Sequence, residues 1–224
     1  MKTRQQKTKL VCLHDVRSPV AEAYRTMRTN IQFAGICNEL RALMVTSAGP
    51  GEGKTTTIAN LAVAFAEAGK KVVLLDGDLR KPALHRIFDL TNVRGLSNLL
   101  VDGDSFETVI QHLSGVKLDI ITAGDAVPNQ AELLASPLIQ KLVRQLRNLY
   151  DLVLIDSPPI LPVTDAQLLA GCVDGILLVV RSGTVSEEDL KKAKGLLELV
   201  GARVIGTVLN KKKVGEKSYY DYYS

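Results

Sequence analysis

Aromatic residues are scarce in this chain. They make up 4% of 224 residues, tryptophan is absent, and four of the six tyrosines (Tyr219, Tyr220, Tyr222 and Tyr223) crowd into the last six positions. Chain ends are usually tolerant and disordered, but disordered segments are ordinarily poor in aromatics, so this tail reads as a functional segment. Cysteine is equally sparse. Cys12, Cys37 and Cys172 are odd in number, widely spaced and form no Cys-x-x-Cys pair, which argues against a disulfide framework or a zinc or iron–sulfur site and leaves reduced, structural thiols. Long apolar runs are missing too: stretches such as Ile176 to Val180 and Leu152 to Ile155 fall far short of the ~18 residues of a spanning helix. Lys2, Arg4, Lys7 and Lys9 are followed by no apolar segment, so no secretory signal is expected and the chain is placed in the cytoplasm. Nor is there a large excess of charge. A formal +4 calls for no nucleic-acid partner, and the cations near the ends, including Lys211, Lys212, Lys213 and Lys217, read as a solvated terminus or a surface weakly attracted to acidic lipid or protein.

What is present is enough apolar material for one continuous core, 46% hydrophobic against 23% charged residues, in a length that suits a single α/β unit. From Arg41 onward, short β-branched runs alternate with longer helical patterns, as in a parallel sheet wrapped by helices. Strands are predicted at Ala42–Thr46, Lys71–Asp76, Leu118–Thr122, Leu152–Asp156, Gly175–Val180 and Val204–Leu209. Their near-continuous apolarity means burial on both faces. Helices are predicted at Thr55–Ala68, Pro137–Leu149 and Ser186–Val200, the last opened by a Ser186-x-x-Asp189 capping pattern. Another is predicted from Pro19 to about Phe33, with the proline suited to a first turn. In the segment 81–111, Lys81, His85 and Arg86 read as ordinary exposed helix or as a partner- or tail-docking surface, with exposed helix the preferred reading.

Ala48-Gly49-Pro50-Gly51-Glu52-Gly53-Lys54-Thr55 fits the Walker A pattern, and it lies where that motif must lie, between a predicted strand and a predicted helix. Glycines at 49, 51 and 53 let backbone N–H groups turn toward phosphate oxygens at the positive end of the following helix. Lys54 would bridge the outer phosphates and the Thr55 hydroxyl would ligate Mg²⁺. The nucleotide-binding stretch is Gly49, Pro50, Gly51, Glu52, Gly53, Lys54, Thr55 and Thr56. Two more strand ends carry acids: Asp76-Gly77-Asp78-Leu79-Arg80 after Val72–Leu75, and Asp156-Ser157-Pro158-Pro159 after Leu152–Ile155, a Walker B-like segment. In a parallel sheet such ends open at one edge, beside the phosphate loop, and Mg²⁺ accounts for acids gathered there. Asp76 and Asp156 join Thr55 as candidate metal ligands; Asp76 and Asp78, with Lys54, are the candidate catalytic residues. The expected fold is a doubly wound, mainly parallel α/β sheet of the P-loop NTPase kind with helices on both faces. It divides into an N-terminal arm and helix at 1–40, the nucleotide domain at 41–210 and a tail at 211–224.

These motifs in this order, with Asp-x-Asp-x-Arg at 76–80 and the tyrosine tail, resemble the bacterial tyrosine kinases, and among them the cytoplasmic kinases of capsule and exopolysaccharide synthesis. The likeness covers nearly the whole chain. Glu22-x-x-Arg25-x-x-Arg28 fits that family's oligomerisation motif. Residues three apart share a helix face, so the three read as a self-paired stripe or as a subunit contact, and the resemblance favours the contact. It further implies ATP and Mg²⁺, a ring-like homo-oligomer, and tail tyrosines of one subunit entering the active site of the next. A membrane-embedded activator made as a separate chain would recruit the kinase to the inner face of the plasma membrane, and other protein substrates remain open. By position, Asn210 would contact adenine, or serve as a turn or capping residue.

A phenol with a pKa of about 10 is a poor nucleophile until a base removes its proton. Asp76 or Asp78 would be that base, while Lys54, Mg²⁺ and the loop amides neutralise charge on the transferring phosphoryl group. Arg80 would steady a phosphate or the incoming tail, or form a structural salt bridge. Two other readings share the motifs. One is an ATPase of the chromosome-partitioning or division-site-placement kind, which carries an extra lysine near the start of the loop where this chain has Gly49. The other is a non-catalytic nucleotide sensor controlling a membrane partner. A eukaryotic-type protein kinase is excluded, because no His-Arg-Asp or Asp-Phe-Gly segment occurs.

Overall fold

The computed structural model describes residues 10–34, 39–103 and 105–212; Cys37 and the four tail tyrosines lie outside the described residues. Two helices come first, α1 (Val11–His14) and α2 (Pro19–Ala34). They are followed by β1 (Ala42–Ser47), α3 (Lys54–Glu67), β2 (Val72–Asp76), α4 (Leu84–Phe88), α5 (Leu96–Val101), α6 (Phe106–Val109), β3 (Ile110–Leu113) and β4 (Leu118–Ile121). The chain continues through α7 (Gln130–Ala135), α8 (Pro137–Leu149), β5 (Leu152–Asp156), α9 (Asp165–Ala170), β6 (Gly175–Arg181), α10 (Glu187–Leu199) and β7 (Val204–Asn210). The strands form one sheet in the order β3-β4-β2-β5-β1-β6-β7. Every neighbouring pair is parallel except β3 with β4.

Alternate residues of the central strands serve opposite faces, which is why those strands read as unbroken apolar runs. Ala42, Met44, Val73, Leu75, Val153 and Ile155 join the side chains of α8, α9 and α10 on one side. Leu43, Val45, Val72, Leu74, Leu152 and Leu154 join α1 to α4 on the other. The sheet is thus doubly wound. In α8, Ile139, Leu142, Val143 and Leu146 are buried, one helical stripe turned to the sheet, and Pro137 sits in its first turn, where a missing N–H costs nothing.

Helix α3 is buried without a break from Thr57 to Ala66, because α1 and α2 cover the side that the sheet does not. Leu10, Cys12, Ala21 and Ile31 belong to the same core as α3, and the Cys12 N–H donates to Asn60 Oδ1 at 3.1 Å. In packing terms the helices before residue 41 share the core of the sheet. Burial lifts the Cys12 thiol pKa to about 12, as befits an inert structural cysteine.

The segment 81–111 departs from the expected exposed helix. Three short helices occupy it, interrupted at Asp89 (φ 61°) and Gly103 (φ 68°), with the edge strand β3 at its end. Gly95 is required where the chain crosses the loop after β4: the Leu96 N–H donates to the Thr122 carbonyl at 2.8 Å, and a Cβ on Gly95 would lie 2.1 Å from that oxygen. Strand β3 escapes a periodicity reading because four residues, Ile-Gln-His-Leu, are too few to separate a period of 2 from one of 3.6. Among the described residues no helix is long and apolar enough to cross a membrane.

Candidate active site

The phosphate loop joins β1 to α3. Gly51 and Gly53 take φ values of 75° and 97°, a left-handed conformation that costs a glycine little. Helix α3 starts at Lys54, one residue before the expected Thr55, so the loop amides meet the positive end of a long buried helix. One expected donor is otherwise engaged: the Gly49 N–H donates to the Glu52 carboxylate. The Gly49 carbonyl in turn accepts from Ser47 Oγ at 2.7 Å. Gly51, Gly53, Lys54, Thr55 and Thr56 line one flank of a cavity of about 460 Å³, and Arg86 of α4 lines the other.

Sheet register brings the acids together. Asp76 at the end of β2 lies directly across from Asp156 at the end of β5, and Asp156 is across from Val45 of β1, two residues before the strand ends. The Gly77 N–H donates to the Asp156 carbonyl at 2.8 Å, and a Cβ on Gly77 would come within 2.7 Å of that oxygen, so only glycine permits the approach. Lys54 Nζ stands 3.4 Å from Asp78 Oδ2 in a largely buried ion pair, and Asp78 Oδ1 accepts the Lys81 N–H at 3.0 Å. Asp76 Oδ2 accepts the N–H groups of Ala83 and Leu84, both at 3.0 Å, so this acid also caps the start of α4.

Three oxygens in this cluster are buried without a hydrogen-bond partner: Asp76 Oδ1 and both oxygens of Asp156. Burial pushes the Asp156 pKa up, Lys54 draws it down, and Asp76 pushes it up again. Burial also raises Asp76, against the pull of the Leu84 and Ala83 N–H groups. Unpaired carboxylate oxygens in a protein interior are costly, and a hard divalent cation would relieve them. Among the described residues no group of three or more His, Cys, Asp or Glu could hold a metal alone. Mg²⁺ typically takes one or two carboxylates and completes its shell with phosphate and water.

The other expected site residues fall as follows. Arg80 forms a bidentate bridge to Asp165, the first residue of α9, at 2.8 and 2.9 Å, which is the structural alternative. Asp165 carried no sequence signal, as a lone acid ahead of a helix reads only as a cap. Arg86 was read as plain exposed helix, yet it lines the loop cavity. Asn210 uses its amide locally: Nδ2 donates to the Glu52 carbonyl and Oδ1 accepts the Lys211 N–H, both at 2.8 Å. Glu22, Arg25 and Arg28 lie on α2. Arg25 bonds Glu22 at 2.9 Å and the Val16 carbonyl at 2.7 Å, and Arg28 bonds the Ala64 carbonyl at 3.0 Å.

A family model described as ParA, NUBPL iron-transfer P-loop NTPase, matches residues 39–219. The tyrosine-protein kinase YwqD of Bacillus subtilis is 44% identical over 214 residues, covering 96% of this chain and 90% of the relative. The chain belongs to the bacterial tyrosine kinases. Solved structures agree: the chimerical protein CapA2B2 superposes with a TM-score of 0.88 at 39% identity, over 92% of this kinase and 91% of that chain. The kinase domain of Escherichia coli ETK gives 0.87 at 34% identity, over 94% and 84%. MinD from Pyrococcus horikoshii, solved with Mg-ADP, is more distant, with a TM-score of 0.67 at 28% identity over 79% and 72%. The kinase is therefore a P-loop protein-tyrosine kinase built on the wider ParA/MinD fold.

Proposed function

We propose that this kinase transfers the γ-phosphoryl group of ATP to tyrosines of its own C-terminal segment, Tyr219, Tyr220, Tyr222 and Tyr223, and so regulates capsule or exopolysaccharide synthesis. The observation that carries the reading is the union of a Lys54–Asp78 ion pair with two buried acids that keep unpaired oxygens at a phosphate loop, in a chain that ends in a tyrosine cluster. Thr55, Asp156 and Asp76 would hold Mg²⁺; the related MinD was solved with Mg-ADP, which supports a magnesium nucleotide at this loop. Bound there, the ion would neutralise charge on the outer phosphates.

The residues of the chain divide the remaining work. The Gly51–Thr56 amides bind phosphate oxygens, and Lys54 offsets the charge that develops between donor and acceptor. Asp78 holds the Lys54 ammonium in place. With the one uncommitted oxygen of Asp76 turned to the metal, Asp78 is the base once Lys54 turns to the phosphates; in the converse arrangement Asp76 is the base and Asp78 organises metal and water. The phenol proton passes to the aspartate, the phenol oxygen bonds to phosphorus, and the bond to ADP breaks. Glu22, Arg25 and Arg28 form the contact of a ring-like homo-oligomer that presents tails to neighbouring sites. A separate membrane-embedded activator recruits the kinase to the inner face of the plasma membrane, and other protein substrates use the same site.

Phosphopeptide mapping after incubation with ATP and Mg²⁺ tests the proposal, with Lys54→Met as the control. Phosphotyrosine on the last six residues in the wild type and none in the variant is the expected result. Free phosphate with an unmodified tail would instead support an ATPase like the partitioning proteins of the same fold.

A further inference from the structure

The Walker A pattern leaves the position of Glu52 unspecified, yet in this loop the side chain is buried and committed. Glu52 is 4% exposed, and its carboxylate accepts two backbone N–H groups: that of Gly49 in the same loop on Oε1 and that of Arg181, from a distant part of the chain, on Oε2 at 3.3 Å. Its carbonyl accepts Asn210 Nδ2 at 2.8 Å. Asn210 is itself fixed, since its carbonyl accepts the Ser182 N–H at 2.9 Å and its Oδ1 the Lys211 N–H. Arg181 and Asn210 end β6 and β7 and pair in register. The contact has no slack: a Cβ on Gly53 would meet Asn210 Nδ2 at 2.1 Å. One residue therefore closes the phosphate loop on itself and fastens it to two neighbouring strand ends. A buried anion is an unfavourable neighbour for a polyphosphate, so attraction to the nucleotide does not explain it. Its hydrogen bonds do.

We propose that Glu52 is a positioning residue for nucleotide binding, a latch that holds the loop in its phosphate-receiving shape and couples that shape to the ends of β6 and β7, from which the chain runs into the tail. Coupling of this kind is reciprocal: if the latch shapes the loop, a bound nucleotide must tighten the latch. The inference rests on the nucleotide reading of the loop and not on the identity of the acceptor, so the two fail separately.

Hydrogen exchange of the full chain with and without Mg-ADP, joined to Mg-ADP affinities of Glu52→Ala and Glu52→Gln, tests it. In the wild type, Mg-ADP should slow exchange in residues 49–56 and also at Arg181, Ser182 and Lys211. Glu52→Ala, which strands two N–H groups, should bind Mg-ADP about tenfold more weakly, equivalent to about 1.4 kcal/mol. It should keep protection at 54–56 and lose it first at Arg181, whose N–H gives up its carboxylate acceptor, while Ser182 and Lys211, which reach the loop through Asn210 and the Glu52 backbone carbonyl, should be less affected. Glu52→Gln, with one acceptor oxygen, should fall between, and in both variants KM for ATP should change more than kcat. Wild-type protection confined to 49–56 would overturn the latch even if a variant failed to fold, as would Glu52→Ala affinity within twofold of wild type. If wild-type protein bound no Mg-ADP, the inference would fall together with the nucleotide reading beneath it.

Discussion

Asp156 and Asp165 are both fully buried aspartates, and they make a controlled pair. Asp165 receives a bidentate guanidinium from Arg80; neither oxygen of Asp156 has a hydrogen-bond partner. The same isosteric change should therefore have opposite signs. Asp165→Asn gives up charge-assisted hydrogen bonds and should lose about 1.5–3 kcal/mol. Asp156→Asn removes a buried carboxyl that burial and Asp76 hold against ionisation, with Lys54 only partly offsetting them, and should raise stability in the absence of nucleotide by about 1–3 kcal/mol, or roughly 2–4 °C per kcal/mol in a protein of this size. Thermal unfolding without ligand measures both, and tail phosphorylation measured alongside should vanish in Asp156→Asn. A stabilised but inactive variant is the mark of a carboxylate kept for a ligand. A destabilised one would make Asp156 an ordinary part of the fold.

At the scale of elements, the best-read helix start is that of α10. Ser186 Oγ accepts the Asp189 N–H at 3.0 Å, the bond that the Ser-x-x-Asp spacing announced, and three acids occupy the first turn. Ser186→Ala should cost about 1 kcal/mol in urea unfolding, with the denaturant slope unchanged. No loss would mean that packing of Ala193 and Leu197 alone holds the helix. The same contrast explains what the sequence disclosed more generally. The phosphate loop and the acids at the ends of β2 and β5 were legible because each demands particular residue types at a fixed place on a strand–loop–helix unit, and strand ends of a parallel sheet must share an edge. What stayed hidden depends on side chains meeting across long separations. Glu52 occupies a position its motif leaves open, and its partner strands lie 129 and 158 residues away. Asp165 meets Arg80 across 85 residues. Strand β3 was too short to carry a period, and the breaks among α4 to α6 come from local left-handed residues.

For the molecule as a whole, the proposed chemistry changes net charge enough to alter assembly. Each phosphotyrosine adds about −1.5 to −2 charges, so four bring about −6 to −8, sufficient to turn a chain of formal charge +4 negative. In a ring that gathers several tails, these charges would repel wherever two tails approach within about one Debye length, about 8 Å at physiological ionic strength. Arg25 can offset this only weakly, because it is already paired with Glu22. Phosphorylation should therefore favour dissociation, more steeply in dilute salt than at high ionic strength. Native mass measurements on phosphorylated and phosphatase-treated protein, repeated across a salt series, give the outcome. A shift to smaller species that salt reverses identifies repulsion between tails as the driving term. A shift indifferent to salt would place the switch in a conformational change instead, and an unchanged subunit count in both forms would sever modification from assembly altogether.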